Sequence, residues 1–187
     1  SRRDMLRISA VAGVGTALGA GLVSELVRRA AIHRVVSTRT RLGTLVTVTV
    51  VHPDASAAAT MVDDAFAEMT RLEAILSRYQ PNSPLSRLNA VGRVDVAPPE
   101  LLHVMTWALD YARMSKGAFD PTIAPLLSLY AARAESGEGT PEPSAVAEKR
   151  SLVGYEGLSI VGTRMGFDRP GMSVTLDGIA KGYVVDR

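Results

Sequence analysis

The residues best suited to chemistry lie in the last stretch of the chain, Thr175-Leu176-Asp177-Gly178-Ile179-Ala180-Lys181-Gly182-Tyr183. Val174 to Leu176 reads as the end of a buried strand, Asp177-Gly178 as a turn, and Ile179 onward as the start of a helix. A strand that turns into a helix through a glycine leaves backbone N–H groups unpaired at the helix mouth, and such a mouth suits anions, phosphate above all. Lys181 either adds a positive charge there or is a solvent-facing lysine in an ordinary turn. Two other loops carry similar promise: Arg78-Tyr79 through Ser83, and Gly117-Ala118-Phe119-Asp120-Pro121-Thr122. Binding side chains concentrate on loops held by a rigid scaffold. Each also has a plain structural reading. Tyr79 can cover the edge of the core, Phe119 can belong to it, and Asp120 before Pro121 can simply open a turn.

The elements that must hold these loops are legible in outline. The chain has 187 residues, 47% of them hydrophobic, enough for one domain with a real core. A net charge of +2 makes no case for nucleic acid. Cysteine is absent, which excludes disulfides, thiolate metal sites, a cysteine nucleophile and a lipidated cysteine. Gly43 to Val51 alternates Thr and Val as a half-buried strand does, and Asp54 is placed to cap the next helix. From Ala55 to Leu76 apolar residues recur at helical spacing, with Asp63, Asp64, Glu68, Arg71 and Glu73 on a solvated face. The sequence predicts a short helix over Leu85–Asn89 capped by Ser83, and a strand at Val94–Val96. A second long helix opens at Pro98-Pro99 and is closed by Gly117. Helices follow over 126–134 and 145–152, around a polar loop over 135–143. Strands are expected over 157–161 and 173–176, with a Gly- and Pro-containing connection between them. Strands and long helices without strict alternation indicate an α+β fold, a mixed sheet with two long packed helices.

The first thirty residues read as targeting rather than fold. Arg2-Arg3 followed by Leu6 resembles a twin-arginine export signal, and Ile8 to Val23 has the length and mild apolarity of a signal core. The expected organisation is a signal segment over 1–30, a linker over 31–40 and a catalytic-domain portion over 41–187. Export to the cell envelope follows from that reading, with membrane contact only through the signal segment.

Taken in order, the motifs resemble the FAD:protein FMN transferase family, the ApbE-like flavin transferases. The matching stretches are Leu42-Gly43-Thr44, Leu76-Ser77-Arg78-Tyr79, Ser83-Pro84-Leu85-Ser86-Arg87-Leu88-Asn89, Gly117 through Leu126, Leu152-Val153-Gly154-Tyr155, and Leu176 through Asp186. The resemblance covers Arg41 to Arg187. It implies an ApbE-like fold that binds FAD with Mg²⁺ and transfers FMN to a threonine hydroxyl of a target flavoprotein, releasing AMP. It implies cofactor contacts at Leu42, Tyr79, Ala118, Phe119, Asp120, Thr175 and Lys181, and a metal-ligating carbonyl at Gly178. Leu42 stands where the family often has Met. The attacking hydroxyl belongs to the partner, so no catalytic nucleophile is expected on this chain. The family pattern runs on past the Lys181 motif with further metal ligands and a histidine loop. His33, His52 and His103 match none of it, which implies the N-terminal portion of a transferase, as a fragment or a truncated product. A metal-dependent FAD pyrophosphatase and an inactive FAD-binding fragment are the competing readings.

Overall fold

The structure is a computed structural model and describes residues 32–187; the expected signal segment over 1–30 lies outside the described residues. The described residues divide into two compact units, one comprising 32–39 with 45–65, the other 40–44 with 66–187. Among the described residues no helix is long and apolar enough to cross a membrane.

In the first unit, β1 (His33–Arg41) and β2 (Thr44–His52) are hydrogen-bonded neighbours. Val46, Val48 and Val50 share the half-buried face of β2, while Thr47 faces out and meets the Thr38 hydroxyl at 2.9 Å. The expected linker over 31–40 is therefore corrected, because His33 already begins a strand. Its alternation was concealed by Ser, Thr and Arg at positions where a fully buried strand would carry Val or Ile. Asp54 caps α1 (Ala55–Leu76), accepting from the Ser56 N–H at 2.8 Å and the Ala57 N–H at 3.2 Å. Those donors, Ala57 foremost, hold the Asp54 carboxyl below its ordinary range. Ala58 and Val62 are the buried residues on this half of the helix.

The second unit carries the main core. It gathers Leu72 and Leu76 of α1, Leu85 and Leu88 of α2 (Pro84–Val91), and Leu101, Val104, Met105 and Ala108 of α3 (Pro99–Met114). Leu158, Met165, Val174 and Leu176 complete it. Ser83 caps α2 by accepting from the Ser86 N–H at 2.9 Å, as its position before Pro84 suggests. The Arg71 guanidinium joins Glu68 of α1 to Glu100 at the start of α3. The 16 residues of α3 end at Met114, with Ser115 rather than Gly117 as the closing residue. Lys116 and Gly117 then take φ of 54° and 82°, and the Gly117 N–H reaches back to the Ala112 carbonyl at 2.9 Å. Two consecutive left-handed residues turn the chain sharply into the Ala118–Asp120 loop, and glycine accepts that geometry without the Cβ penalty that Lys116 bears. A turn of 3₁₀ helix, Pro121–Ile123, leads into α4 (Ala124–Ser136), and α5 (Pro143–Arg150) follows.

The α+β class stands, with a sheet that differs in detail from expectation. β3 is only Arg93–Val94, short of the Val96 end expected. β4 (Leu158–Val161) is as read, but β5 is Arg164–Phe167, within the stretch expected to be a connection. The three form an antiparallel sheet in the order β3-β5-β4, with Val94 opposite Met165 and Leu158 opposite Phe167. Ser173–Leu176, expected as a strand, lies in no sheet. Val174, Thr175 and Leu176 are buried in succession rather than alternately, and the Val174 and Thr175 amides find partners outside any sheet. The last helix, α6 (Ala180–Val185), has 6 residues.

Leu88 is fully buried where α2 meets this core. Leu88→Ala is expected to cost about 2–5 kcal/mol in urea unfolding, from lost transfer free energy plus the cavity left behind.

Candidate functional site

Every residue singled out from the sequence borders one of two neighbouring clefts in the second unit. Leu42, Tyr79 and Lys181 line a cleft of about 190 Å³, together with Glu73 and Asp177. Ala118, Phe119, Asp120, Thr175 and Gly178 line another of about 330 Å³, again with Asp177. Phe119 and Gly178 also border a third, mainly apolar cleft of about 690 Å³ with Trp107, Tyr111, Met114 and Tyr183. The three clefts meet at the Asp177-Gly178 turn.

The first cleft is tied together by ionic and aromatic contacts. The Arg78 Nε donates to Asp177 Oδ2 at 3.1 Å across 99 positions of sequence. The Tyr79 hydroxyl donates to the same oxygen at 3.2 Å and accepts from Arg78 at 2.7 Å. The Arg78 guanidinium also sits 4.5 Å from the centre of the Tyr79 ring, a cation–π arrangement. Arg78 is largely covered at 18% side-chain exposure, whereas Tyr79 is 70% exposed and presents a flat face to solvent. Leu42 is the first residue of the β1–β2 turn and adopts φ 53°, a left-handed conformation costing about 1–2 kcal/mol for a residue with a Cβ. Its N–H is held by Glu73 Oε1 at 3.2 Å. Strain kept in place at the rim of a cleft is a mark of functional shaping.

The second cleft rests on a clasp. Asp120 Oδ1 accepts from the Thr122 N–H at 2.8 Å and the Thr122 hydroxyl at 2.6 Å, and Oδ2 accepts from the Tyr155 N–H at 3.0 Å. The fully buried Thr122 in turn accepts from the Gly154 N–H at 2.8 Å. Both carboxylate oxygens of Asp120 thus bind the protein itself, fastening the Gly154-Tyr155 loop to the Phe119-Asp120 loop. Tyr155 beside it has its phenol raised above the ordinary value, first by a hydrogen bond to the Glu156 carboxylate and then by desolvation. Thr175 is buried, and its hydroxyl accepts from the Asp177 N–H at 3.1 Å, fixing the turn.

Gly178 has a steric reason to be glycine. A Cβ there would stand 3.1 Å from the Phe119 ring edge. Phe119 also packs edge-on against Tyr111, with ring centroids 6.5 Å apart. The helix mouth differs from expectation. The Ile179 and Ala180 N–H groups both bond the Leu176 carbonyl, at 2.9 and 2.7 Å, and the Asp177 N–H is taken by Thr175. With the Ile179 and Ala180 amides paired, the mouth of this six-residue helix has fewer free donors than the glycine turn suggested. Among the described residues, no three His, Cys, Asp or Glu side chains are grouped to hold a metal. The Gly178 carbonyl alone falls far short of the octahedral oxygen shell of Mg²⁺, so the described donor set does not fit that ion.

Sequence reasoning left Arg78, Thr122 and Asn89 out of the site. Arg78 and Thr122 act through neighbours, and only the spacing of Ser83, Ser86 and Asn89 along one helix face hinted at the last.

The sequence profile described as the ApbE family matches residues 42–187. A curated relative from Vibrio cholerae serotype O1, named FAD:protein FMN transferase, is 31% identical over 114 residues, covering 59% of this chain and 34% of its own length. The solved flavin transferase ApbE from Vibrio cholerae aligns with a TM-score of 0.72 at 25% identity, over 83% of this chain and 52% of that one. The apo form of Pseudomonas stutzeri flavinyl transferase ApbE aligns at 0.72 and 27% identity, over 83% and 51%. The chain therefore spans about a third of the curated relative and about half of the solved structures.

Gly178→Ala is expected to destabilise the protein by about 1–3 kcal/mol by forcing the Phe119 ring aside. Gly182→Ala, in open space on α6, is expected to be neutral or to stabilise by up to about 1 kcal/mol. Urea unfolding of the two variants checks this; equal effects would contradict the close approach at Gly178.

Proposed function

The chain belongs to the ApbE family, and on that premise we propose that its clefts bind FAD and that the protein serves transfer of FMN from FAD to a threonine hydroxyl of a target flavoprotein, with release of AMP. One observation carries the reading. Loops from three distant parts of the sequence converge on Asp177-Gly178, with an exposed flat ring, Tyr79, bordering one cleft and Phe119 bordering the next. FAD has flat groups at its two ends and a pyrophosphate between them, so a site for it needs aromatic walls flanking a stretch that tolerates negative charge. Lys181 supplies a cation at the first cleft, where Glu73 and Asp177 are anionic. The Arg78 guanidinium offsets Asp177, which keeps that carboxylate from repelling an anionic ligand outright.

In this reaction the acceptor hydroxyl oxygen bonds to the FMN-side phosphorus. The bond from that phosphorus to the bridging oxygen breaks, AMP leaves with that oxygen, and the hydroxyl gives up its proton. The residues of this chain bind and orient FAD: Tyr79 stacks, Phe119 and Ala118 wall the second cleft, and Lys181 attracts the pyrophosphate. Asp120 acts through the clasp that sets the position of Phe119. Mg²⁺ dependence belongs to the same proposal, with Gly178 contributing a single carbonyl; the described donors alone do not fit the ion, so no step is drawn through it. Export through the 1–30 segment, action in the cell envelope and membrane contact confined to that segment are further parts of the proposal.

Equilibrium dialysis with FAD tests the binding step. The chain is expected to bind FAD, and Tyr79→Ala is expected to weaken binding about tenfold, the value of roughly one lost aromatic stack. Incubation with FAD, Mg²⁺ and a threonine-bearing acceptor flavoprotein, followed by denaturation, tests transfer. Flavin fluorescence retained on the denatured acceptor, with AMP formed, is the expected result. AMP formed equally without acceptor would replace transfer by pyrophosphatase activity, and failure to bind FAD would overturn the reading.

A further inference from the structure

The segment Ser173–Leu176 carries Thr175 into the site and delivers Asp177 and Gly178 to the junction of the clefts, yet it lies in no sheet. Val174, Thr175 and Leu176 are buried, so their backbone polar groups need partners. Asn89, near the end of α2, supplies two of them. Its Nδ2 donates to the Val174 carbonyl at 2.9 Å, and its Oδ1 accepts from the Val174 N–H at 2.8 Å. The side-chain amide thus pairs with Val174 on both sides, as an adjacent strand would. The Thr175 N–H is taken by the Pro121 carbonyl at 2.8 Å.

The same helix face holds the other rim of the site. The Ser83 hydroxyl donates to the Ser77 carbonyl at 2.5 Å, and Ser86 donates to the Arg78 carbonyl at 3.1 Å. Ser83, Ser86 and Asn89 recur every third residue, so they share one face of α2. One helix therefore sets the Ser77-Arg78 loop and the Val174–Gly178 segment relative to each other. The Arg78–Asp177 pair closes between them.

We propose that Asn89 is a positioning residue for FAD: by fixing the register of Val174 it places Thr175, Asp177 and Gly178 at the cleft junction, and cofactor affinity passes through that single two-way amide contact. The proposal rests on the reading of the clefts as a FAD site. Asn89 borders none of the three clefts and acts only through the segment it holds.

The test compares Asn89→Asp with Asn89→Leu. An ionised aspartate presents only acceptors and sets oxygen against the Val174 carbonyl; a protonated one restores the donor–acceptor pattern of the amide. Facing a carbonyl raises that carboxyl's pKa, so the donor is regained as pH falls. The charged groups lining the same cleft as Asn89 are Arg93 and the Asp168–Arg169 pair, and these are common to all variants. FAD affinity relative to the parent chain is measured between about pH 8 and about pH 5, alongside hydrogen exchange of the ligand-free proteins. The expected result is a loss of about tenfold or more in both variants at the upper pH, recovery on acidification for Asn89→Asp alone, and faster exchange at residues 174–178. Unchanged affinity in Asn89→Asp, or equal recovery in Asn89→Leu, would overturn the proposal. If the parent chain binds no FAD, the reading of the clefts fails. Exchange then decides the positioning claim by itself: unaltered amides at 174–178 in Asn89→Asp overturn it, and faster exchange confined to them upholds it.

Discussion

A buried segment of backbone that belongs to no sheet is the constraint on which the site depends. An unpaired buried peptide group costs on the order of 1–3 kcal/mol, so Val174 and Thr175 could not remain where they are without substitute partners. The Asn89 amide and the Pro121 carbonyl are those partners. Pro121 lies directly after Asp120, whose carboxylate clasps Thr122 and Tyr155. The requirement to satisfy one short segment thereby ties α2, the Phe119-Asp120 loop and the Gly154-Tyr155 loop into one frame. The Asp177-Gly178 turn emerges from that frame with little freedom left, since Thr175 also holds the Asp177 N–H and Leu176 accepts two amides.

Steric fit and charge then shape what the frame displays. The Phe119 ring edge leaves room for no side chain at Gly178, which makes that glycine a packing requirement independent of any metal. Arg78 is covered on most of its surface and divides its donors between Asp177 and Tyr79, which orients a tyrosine ring that is otherwise mostly in solvent. Such a pair contributes little to stability at this exposure, because solvent screens it. Its effect is geometric: it holds an aromatic face at a defined angle beside Lys181 and the strained Leu42.

Much of this was legible in the sequence wherever the cause is local. Asp54 and Ser83 are caps because their side chains reach amides two or three residues on, and the long helices announce themselves by apolar spacing. The loops bearing Tyr79, Phe119 and Gly178 were recognisable by motif, and the fold brings them together. What failed to show was non-local. Arg164–Phe167 and Ser173–Leu176 both have strand-like residues, and only the presence of β3 and β4 as partners decides that the first pairs and the second does not. The Asp120 clasp is half local and half not: Thr122 lies two residues on, but Tyr155 is brought up by a loop 35 positions away. The narrowing of the helix mouth is non-local in the same way: no pattern states that the Leu176 carbonyl accepts from both Ile179 and Ala180.

The central claim is that Asp177-Gly178 is the meeting point of a FAD site. Amide chemical-shift mapping of the isotope-labelled chain during titration with FAD addresses it most directly. The account predicts the largest changes at Arg78-Tyr79, Ala118–Asp120 and Thr175–Lys181, with the sheet residues Leu158–Val161 unmoved. Changes centred instead on the separate cleft bordered by Arg87, Arg93 and Asp95, or no changes at all, would contradict it.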